Sequence, residues 1–403
     1  MSLTETLIPT DPPTAVANTA AGILARARAA ATQLRARSTD IEQARRLPDD
    51  VVELLRSTGV FRMAVPRAQG GPELNSIEQT EIIEALAYGD TSAGWCAMIG
   101  MDTPLYAGFL PEAVARSLFT HPDMITAGLI LPVGRADRVP GGYRVSGRWQ
   151  FGSGITHADW VVAGCAVHVD GKPEPSPHGG PMHWRIMLAP RSDFDILDTW
   201  HTTGLAGSGS RDYQVQDLFV PEGQSFSLRE PHRNGANFAV DSILRNMPGV
   251  PLGVARAALD WVRDLAAQRV YRPTGEPWAD NYRVQITIAE AEMELAAARD
   301  AVYGSLRRQW EAIEAGRELS ADQRVETVLA RTNSFRVARR VVSSLFDLCA
   351  TASIYKPSPL DRWLRDVNTM CQHVIAQEQV IQSAGAHLLG GTPHNPFSIG
   401  IIP

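Results

Sequence analysis

The first third of the chain has the apolar spacing of amphipathic helices. Residues 49–55 begin with two aspartates and continue with valines and leucines at i, i+3 and i+4 positions, which is typical of the first turns of a helix. A Gly-Gly-Pro sequence at 70–72 interrupts this pattern, and helical spacing resumes after it. We therefore expect helices over residues 20–111.

The middle of the chain changes to short runs that are rich in β-branched and aromatic residues. Gly and Pro separate these runs, so the pattern predicts the strands of a small barrel or sandwich. The longest apolar stretch, 160–169, is too short to cross a bilayer and predicts a buried strand. The runs that carry the prediction are 142–147, 160–163, 184–188 and 213–220.

Long helical patterns return after about residue 237. Ser320 and Gln323 have the spacing of a capping box, and the apolar positions that follow continue one helix face. The predicted domain order is a flexible tail over 1–20, an N-terminal α domain over 21–124, a central β domain over 125–235 and a C-terminal helical domain over 236–403.

Composition excludes several classes of protein. The chain has 403 residues, a net charge of −6 and 20% charged residues, which does not favour a nucleic-acid surface. Its four cysteines are far apart and form no metal or disulfide motif, so a reducing cytoplasm fits best. The N-terminal tail lacks a basic stretch that leads into an apolar run, so we do not expect it to be a signal peptide.

The segment Ser-Pro-Leu-Asp-Arg-Trp-Leu-Arg-Asp-Val at 358–367, with His373 expected on the same helix, is the most informative stretch. It resembles the last-helix signature of the acyl-CoA dehydrogenase-like flavoenzymes. In dehydrogenases of this superfamily the glutamate base falls at the position of Val374 or, in a second group, of Ile243. Neither residue accepts a proton, whereas His373 can do so near neutral pH.

Four further blocks resemble the same superfamily, in the same order along the chain. The resemblance covers about residues 20–395 and implies the acyl-CoA dehydrogenase fold, which is mostly α, with a central small β-barrel and a C-terminal four-helix bundle. Arg365 and Asp366 would form a charge pair that anchors the last helix. The four blocks are 65–71, 89–95, 207–210 and 251–260.

The segment Trp-Gln-Phe-Gly-Ser-Gly at 149–154 is the second informative stretch. It resembles the flavin-side turn of the reduced-flavin-dependent two-component monooxygenases, known as group D. The resemblance implies that Trp149, Phe151, Ser153 and Gly154 contact the flavin, with the Ser153 hydroxyl near N5. The alternative is an ordinary polar β-turn.

Other candidate site residues follow from the same resemblance. Arg272, one residue out of register, and Gln285 correspond to flavin contacts of the dehydrogenases, although Arg272 could equally be a surface charge. His373 would act on the substrate as a base or as a stabiliser of charge, and its alternative is a histidine satisfied in the core. The apolar wall of the substrate pocket would comprise Trp95, Phe151, Trp160 and Met247.

The implied activity is that of an oxygenase component. Reduced flavin, FMN or FAD, would react with O₂ to give a C4a-(hydro)peroxyflavin that transfers oxygen to an aromatic or heteroaromatic small molecule. The chain has no dinucleotide-binding motif, so a separate NAD(P)H:flavin reductase would supply the electrons. The superfamily resemblance also implies a homotetramer. The composition and the short apolar runs predict neither a nucleic-acid nor a membrane partner.

Three alternatives remain open from the sequence. An N-oxygenase of the same branch would act on an amine or amino sugar by the same chemistry. An acyl-CoA dehydrogenase would need a carboxylate base from elsewhere, such as Asp241. A non-catalytic flavin-binding protein would bind the cofactor without changing its reactivity toward O₂.

Overall fold

The structure is a computed structural model that describes residues 18–178, 182–239, 241–271, 273–356 and 358–399. The predicted tail therefore lies, up to residue 17, outside the described residues.

Side-chain caps fix where the N-terminal helices begin. The Thr19 hydroxyl accepts the Gly22 amide at the start of α1, and Asn75 and Glu78 form a reciprocal capping box at the start of α3. Asp90 ends α3 and caps α4 through the Ala93 amide. The six helices are α1 (Ala20–Ala44), α2 (Asp49–Thr58), α3 (Ser76–Gly89), α4 (Thr91–Gly100), α5 (Thr103–Gly108) and α6 (Glu112–Leu118).

The central domain is one eight-stranded sheet, and the four predicted runs all lie in its strands. The hydrogen-bonded order is β6-β7-β2-β1-β3-β5-β8, with β4 paired to β3. Among the described residues β1 and β3 run parallel, and the other strand pairs of this sheet are antiparallel. The strands are β1 (Thr126–Val139), β2 (Gly142–Gly152), β3 (Trp160–Val169), β4 (Lys172–Pro173), β5 (Trp184–Pro190), β6 (Asp195–Leu197), β7 (Arg211–Pro221) and β8 (Ser225–Phe226).

The sheet curls around its own core like a barrel whose strand pairing stays open between β6 and β8. The Tyr213 hydroxyl of β7 reaches across the interior, where it donates to the Val162 carbonyl of β3 at 2.8 Å and accepts the Leu129 amide at 2.7 Å. These bonds satisfy the irregular backbone of β1, whose register with β3 shifts between Leu129 and Gly134.

Helices dominate the rest of the chain. The predicted capping box of Ser320 and Gln323 is confirmed at the start of α10, and α8 to α11 pack against one another as a bundle. No helix in these described ranges is long and apolar enough to span a membrane. The elements are α7 (Ser242–Arg245), α8 (Gly249–Gln268), the hairpin β9 (Val270–Tyr271) and β10 (Glu276–Pro277), α9 (Tyr282–Glu314), α10 (Ala321–Cys349), α11 (Leu360–Met370) and α12 (Glu378–Leu388).

The loop between β6 and β7 lies directly against α11. A Cβ added to Gly204 would lie 2.2 Å from the Arg365 carbonyl oxygen and 2.7 Å from the Asp366 amide nitrogen, so only glycine permits this approach. The adjacent Leu205 adopts φ +50°, which directs its amide toward α11. The loop thus connects the β domain with the C-terminal helices.

We expect Gly204→Ala to destabilise the protein by roughly 1–3 kcal/mol, because two backbone segments would have to separate. Gly385→Ala in α12 is the matched control, since an added Cβ there meets no atom within 4 Å. The control should be neutral or stabilising by up to about 1 kcal/mol. Denaturant unfolding measures both, and equal midpoints for Gly204→Ala and wild type would contradict the packing described here.

Candidate active site

The turn after β2 places Ser153 beside Trp95 of α4. The Trp95 indole N–H donates to the Ser153 hydroxyl oxygen at 3.0 Å, and the hydroxyl oxygens of Ser153 and Ser210 lie 2.7 Å apart. Gly154 holds the turn through its amide, which donates to the Ser208 carbonyl at 2.9 Å, and through its φ of +76°. Ser153 is therefore fixed by two other segments of the chain.

His373 does not lie on the α11 helix, so that prediction is wrong. The helix ends at Met370, and the His373 amide then donates to the Met370 carbonyl as the chain turns. His373 has extended backbone angles and caps the short 3₁₀ helix Val374–Ala376, where its Nδ1 accepts the Ile375 amide at 3.4 Å. The Gln377 side chain satisfies the Cys371 carbonyl and stabilises this turn.

The turn nevertheless brings His373 to the Ser153 cluster. The His373 and Trp95 rings meet edge to face, with centroids 5.5 Å apart and planes at 72°. Trp95 therefore contacts His373 on one side and Ser153 on the other. Three residues that the sequence placed at the site separately lie together.

Partial burial favours the neutral form of His373. Desolvation, followed by the positive charge of Arg331, lowers the pKa of His373 from its ordinary value near 6.5 to about 4. Because Nδ1 accepts an amide, the neutral ring carries its proton on Nε2. At neutral pH His373 can donate a hydrogen bond and so stabilise negative charge on a ligand, but it is a weak base.

Phe151 flanks the same turn with an exposed ring. Its side chain is 61% exposed and its φ is +62°, which is unfavourable for a residue with a side chain. The exposed ring and the neighbouring Ser153 hydroxyl suit a flat, partly polar ring system. This surface fits an isoalloxazine, with Phe151, Ser153 and Gly154 as the residues that would hold it.

Trp149 cannot contact a cofactor through its side chain, so this prediction is wrong. The ring has no accessible surface, stacks on Tyr213 at 5.4 Å and donates its N–H to the Gly164 carbonyl at 2.8 Å. The register of β2 against β7 shifts between Trp149 and Gly152, and the left-handed Phe151 lies in this irregularity. The shift places Trp149 in the barrel core and Phe151 outside.

The other proposed pocket residues separate into two groups. Met247 is 3% exposed and belongs to the same core cluster as Trp95. Trp160 packs edge-on against Phe119 at 6.4 Å, in a second cluster between the sheet and α5 and α6. Trp160 therefore packs in a different cluster from Trp95, and its position at the substrate pocket stays a prediction.

Of the two predicted dehydrogenase-like flavin contacts, the structure describes only Gln285. Arg272 lies outside the described residues. Gln285 is exposed near the start of α9, and its amide donates to the Ala279 carbonyl at 2.9 Å. Gln285 remains a predicted contact without a link to the cluster in this chain.

The structure adds Ser208 and Ser210, to which the sequence analysis assigns no role. Their hydroxyl oxygens lie 2.7 Å apart, and both residues are buried. The signal was present in the Gly-Ser-Gly-Ser block at 207–210, where closely spaced serines follow a loop.

Arg365 and Asp366 do not pair with each other, contrary to the sequence prediction. Arg365 bonds to Glu42 of α1 and to Asp361, whereas the Asp366 carboxylate accepts the Leu205 amide at 2.7 Å. Burial raises the pKa of Asp366 to about 7, while the Leu205 amide acts in the opposite direction. Asp366 thus fixes the loop that carries Ser208 and Ser210.

No dehydrogenase base is available at the three positions considered. Val374 and Ile243 carry no acid, and the Asp241 carboxylate is bound by the Arg245 guanidinium and the Gln309 amide. Burial raises the Asp241 pKa, but Arg245, Gln309 and Arg324 together outweigh this effect and the net shift is downward. Asp241 is therefore an ion-pair partner, which disfavours its use as a base.

Two family models match the chain. The acyl-CoA dehydrogenase N-terminal domain matches residues 23–110, and the acyl-CoA dehydrogenase C-terminal domain matches residues 248–378. The crystal structure of 3-HSA hydroxylase from Rhodococcus sp. RHA1 superposes with a TM-score of 0.83 at 26% identity, covering 92% of this chain and 97% of that one. These matches, with the three-part fold, define a protein of the acyl-CoA dehydrogenase fold.

Relatives of known activity identify the branch. Indole-3-acetate monooxygenase of Pseudomonas putida is 35% identical over 89% of this chain and 91% of its own length. The oxygenase component of an FADH₂-dependent resorcinol hydroxylase from Rhizobium sp. is 28% identical over 93% and 96%. The chain belongs to the flavin-dependent monooxygenases of the acyl-CoA dehydrogenase superfamily, as an oxygenase component that uses reduced flavin and O₂.

We expect Asp366→Asn to change the pH dependence of stability. Folding raises the pKa of Asp366 from 3.8 to about 7, so this group contributes most stability at acid pH and loses it as pH rises through that window. Asparagine still accepts the Leu205 amide but does not titrate. Wild type should therefore lose about 2 kcal/mol relative to the variant between pH 5 and pH 8. Unfolding free energies at both pH values test this, and parallel profiles would contradict it.

Proposed function

We propose that this protein hydroxylates an aromatic carboxylic acid, with reduced flavin supplied by a separate NAD(P)H:flavin reductase. The observation that carries the proposal is the contact of the buried Ser153 and Trp95 with the partly buried His373, whose pKa is also lowered by the positive charge of Arg331. The four buried, free cysteines fit a cytoplasmic location.

The substrate side of this group is neutral and donates hydrogen bonds. His373 presents an Nε2–H at neutral pH, which can bind a phenolic or carbonyl oxygen and stabilise negative charge that develops on it. Bound flavin supplies the oxygen chemistry. The residues of this chain have to orient the aromatic ring beside the cofactor and exclude water from it.

Arg331 supports an acidic substrate. It is 3% exposed on α10, and burial lowers the pKa of its guanidinium to about 10, although Asp241 opposes this effect. A buried guanidinium is stabilised by a carboxylate that approaches it with good geometry. Indole-3-acetate, the compound in the name of the Pseudomonas putida relative, carries both an aromatic ring and a carboxylate.

Exposed apolar side chains near the C-terminus support a homotetramer. Val374 is 49% exposed, Leu388 62% and Leu389 89%. Such side chains on the last helical segments would be covered by other copies of the chain.

The first test supplies reduced FMN or FAD, prepared photochemically without a reductase, to the purified chain and then adds O₂ and an aryl acetate. With indole-3-acetate we expect hydroxylated product, and with NADH in place of reduced flavin we expect no oxidation. The neutral amide of the same acid should bind about tenfold more weakly, since it loses one charged hydrogen bond. Rapid oxidation of NADH by the chain alone would contradict the need for a reductase, and equal affinity for acid and amide would exclude a carboxylate site.

The second test concerns His373. We expect His373→Ala to bind reduced flavin and consume O₂, while the ratio of product to H₂O₂ falls at least about tenfold, because the substrate loses its charge stabiliser. His387→Ala is the matched control, since the His387 side chain in α12 forms a hydrogen bond with Asp322 of α10.

The competing role for His373 is structural. A packing defect would lower the melting temperature without changing the ratio of hydroxylated product to H₂O₂. A normal product ratio in a destabilised His373→Ala protein would therefore remove His373 from the catalytic residues.

A further inference from the structure

A continuous series of hydrogen bonds leads from Trp95 through Ser153, Ser210 and Ser208 to the Leu205 carbonyl. The Trp95 indole N–H donates to Ser153 Oγ at 3.0 Å, and the distances from Ser153 Oγ to Ser210 Oγ and from Ser210 Oγ to Ser208 Oγ are each 2.7 Å. Ser208 Oγ then donates to the Leu205 carbonyl oxygen, also at 2.7 Å. All four distances are ordinary for hydrogen bonds.

The two ends of this series determine which group donates in each of its hydrogen bonds. The indole N–H can only donate, and the Leu205 carbonyl can only accept. Ser208 uses its single hydrogen on the carbonyl, so Ser210 has to donate to Ser208. Ser153 then has to donate to Ser210, because the hydrogen of Ser210 is already used.

Ser153 is left with one unused lone pair and no free hydrogen. A hydroxyl has one donor and two acceptor positions, and here the donor points to Ser210 while one acceptor position takes the Trp95 N–H. Toward a ligand in the site, Ser153 can therefore only accept a hydrogen bond.

We infer that Ser208 and Ser210 are positioning residues that orient Ser153 as a hydrogen-bond acceptor, so that the site selects reduced over oxidised flavin. This inference rests on the proposed placement of the flavin beside Ser153. Reduced flavin carries a hydrogen on N5 and can donate it to Ser153. Oxidised flavin has a lone pair at N5, which would face the lone pair of Ser153.

The surroundings keep this direction in place. Ser208 is 1% exposed and Ser210 3% exposed, so bulk water does not compete for their hydroxyls. The Leu205 carbonyl also accepts the Trp200 indole N–H, and the Leu205 amide donates to Asp366. The Leu205 carbonyl, which is the last acceptor in the series, is therefore held in place by groups outside the series.

The test compares the dissociation constants of reduced and oxidised FMN, and of FAD, by anaerobic titration of wild type, Ser210→Ala and Ser208→Ala. In Ser210→Ala the Ser153 hydrogen loses its acceptor and becomes free to bind oxidised N5. In Ser208→Ala the Ser210 hydrogen can turn to Ser153, with the same result. We expect the preference for reduced flavin to fall about tenfold in each, equivalent to a decrease of about 30 mV in the two-electron potential of the bound flavin.

Ser353→Ala is the matched control, because Ser353 is a fully buried serine that donates to the Phe346 carbonyl and is not part of this hydrogen-bond series. Ser210→Thr retains the hydroxyl and should keep the wild-type preference. A preference lowered equally by Thr and Ala at position 210, or unchanged in both folded alanine variants, would overturn the inference. The test by product formation is separate, so hydroxylation by a wild type without the flavin preference would overturn the role of the serines and leave the proposed function intact.

Discussion

The hydrogen bond from the Leu205 amide to the Asp366 carboxylate fixes the geometry on which the site depends. A buried carboxylate is costly unless backbone or side-chain donors satisfy it, so Asp366 restricts where the loop of Leu205 can lie. Gly204 permits the contact because it lets two backbones meet without a side chain between them. The loop continues to Ser208 and Ser210, so α11 determines the position of hydroxyls in the β domain.

Local chemistry made much of the fold predictable. The boundaries of β3 follow from one apolar run, 160–169, and the start of α10 follows from Ser320 and Gln323. The interior of the sheet was less accessible. The resemblance of the 149–154 segment to a flavin-side turn predicts that Trp149 contacts the cofactor, but a register shift and a left-handed Phe151 bury Trp149 and expose Phe151. The residue types of this segment do not predict a positive φ at Phe151.

The candidate site shows the same division between local and distant information. His373 and Ser153 were recognised from their segments, and the structure places both against Trp95. The properties of His373 depend on groups that are remote in sequence. Desolvation by the surrounding segments, and then Arg331 on another helix, lower its pKa, and the chain turn after α11 directs its ring. Similarly, the roles of Ser208 and Ser210 depend on contacts across three segments, which no spacing rule encodes.

A neutral site also explains why the carboxylate of a dehydrogenase has no successor here. The groups that surround Ser153 are an indole, an imidazole with its pKa lowered to about 4, and serine hydroxyls, none of which is charged at neutral pH. A carboxylate among them would be either neutralised by burial or solvated by water drawn into the site. Hydroxylation needs a dry pocket more than it needs a strong base, because water promotes the loss of activated oxygen as peroxide. Hydrogen-bond direction is then the means by which Ser153 can distinguish reduced from oxidised flavin.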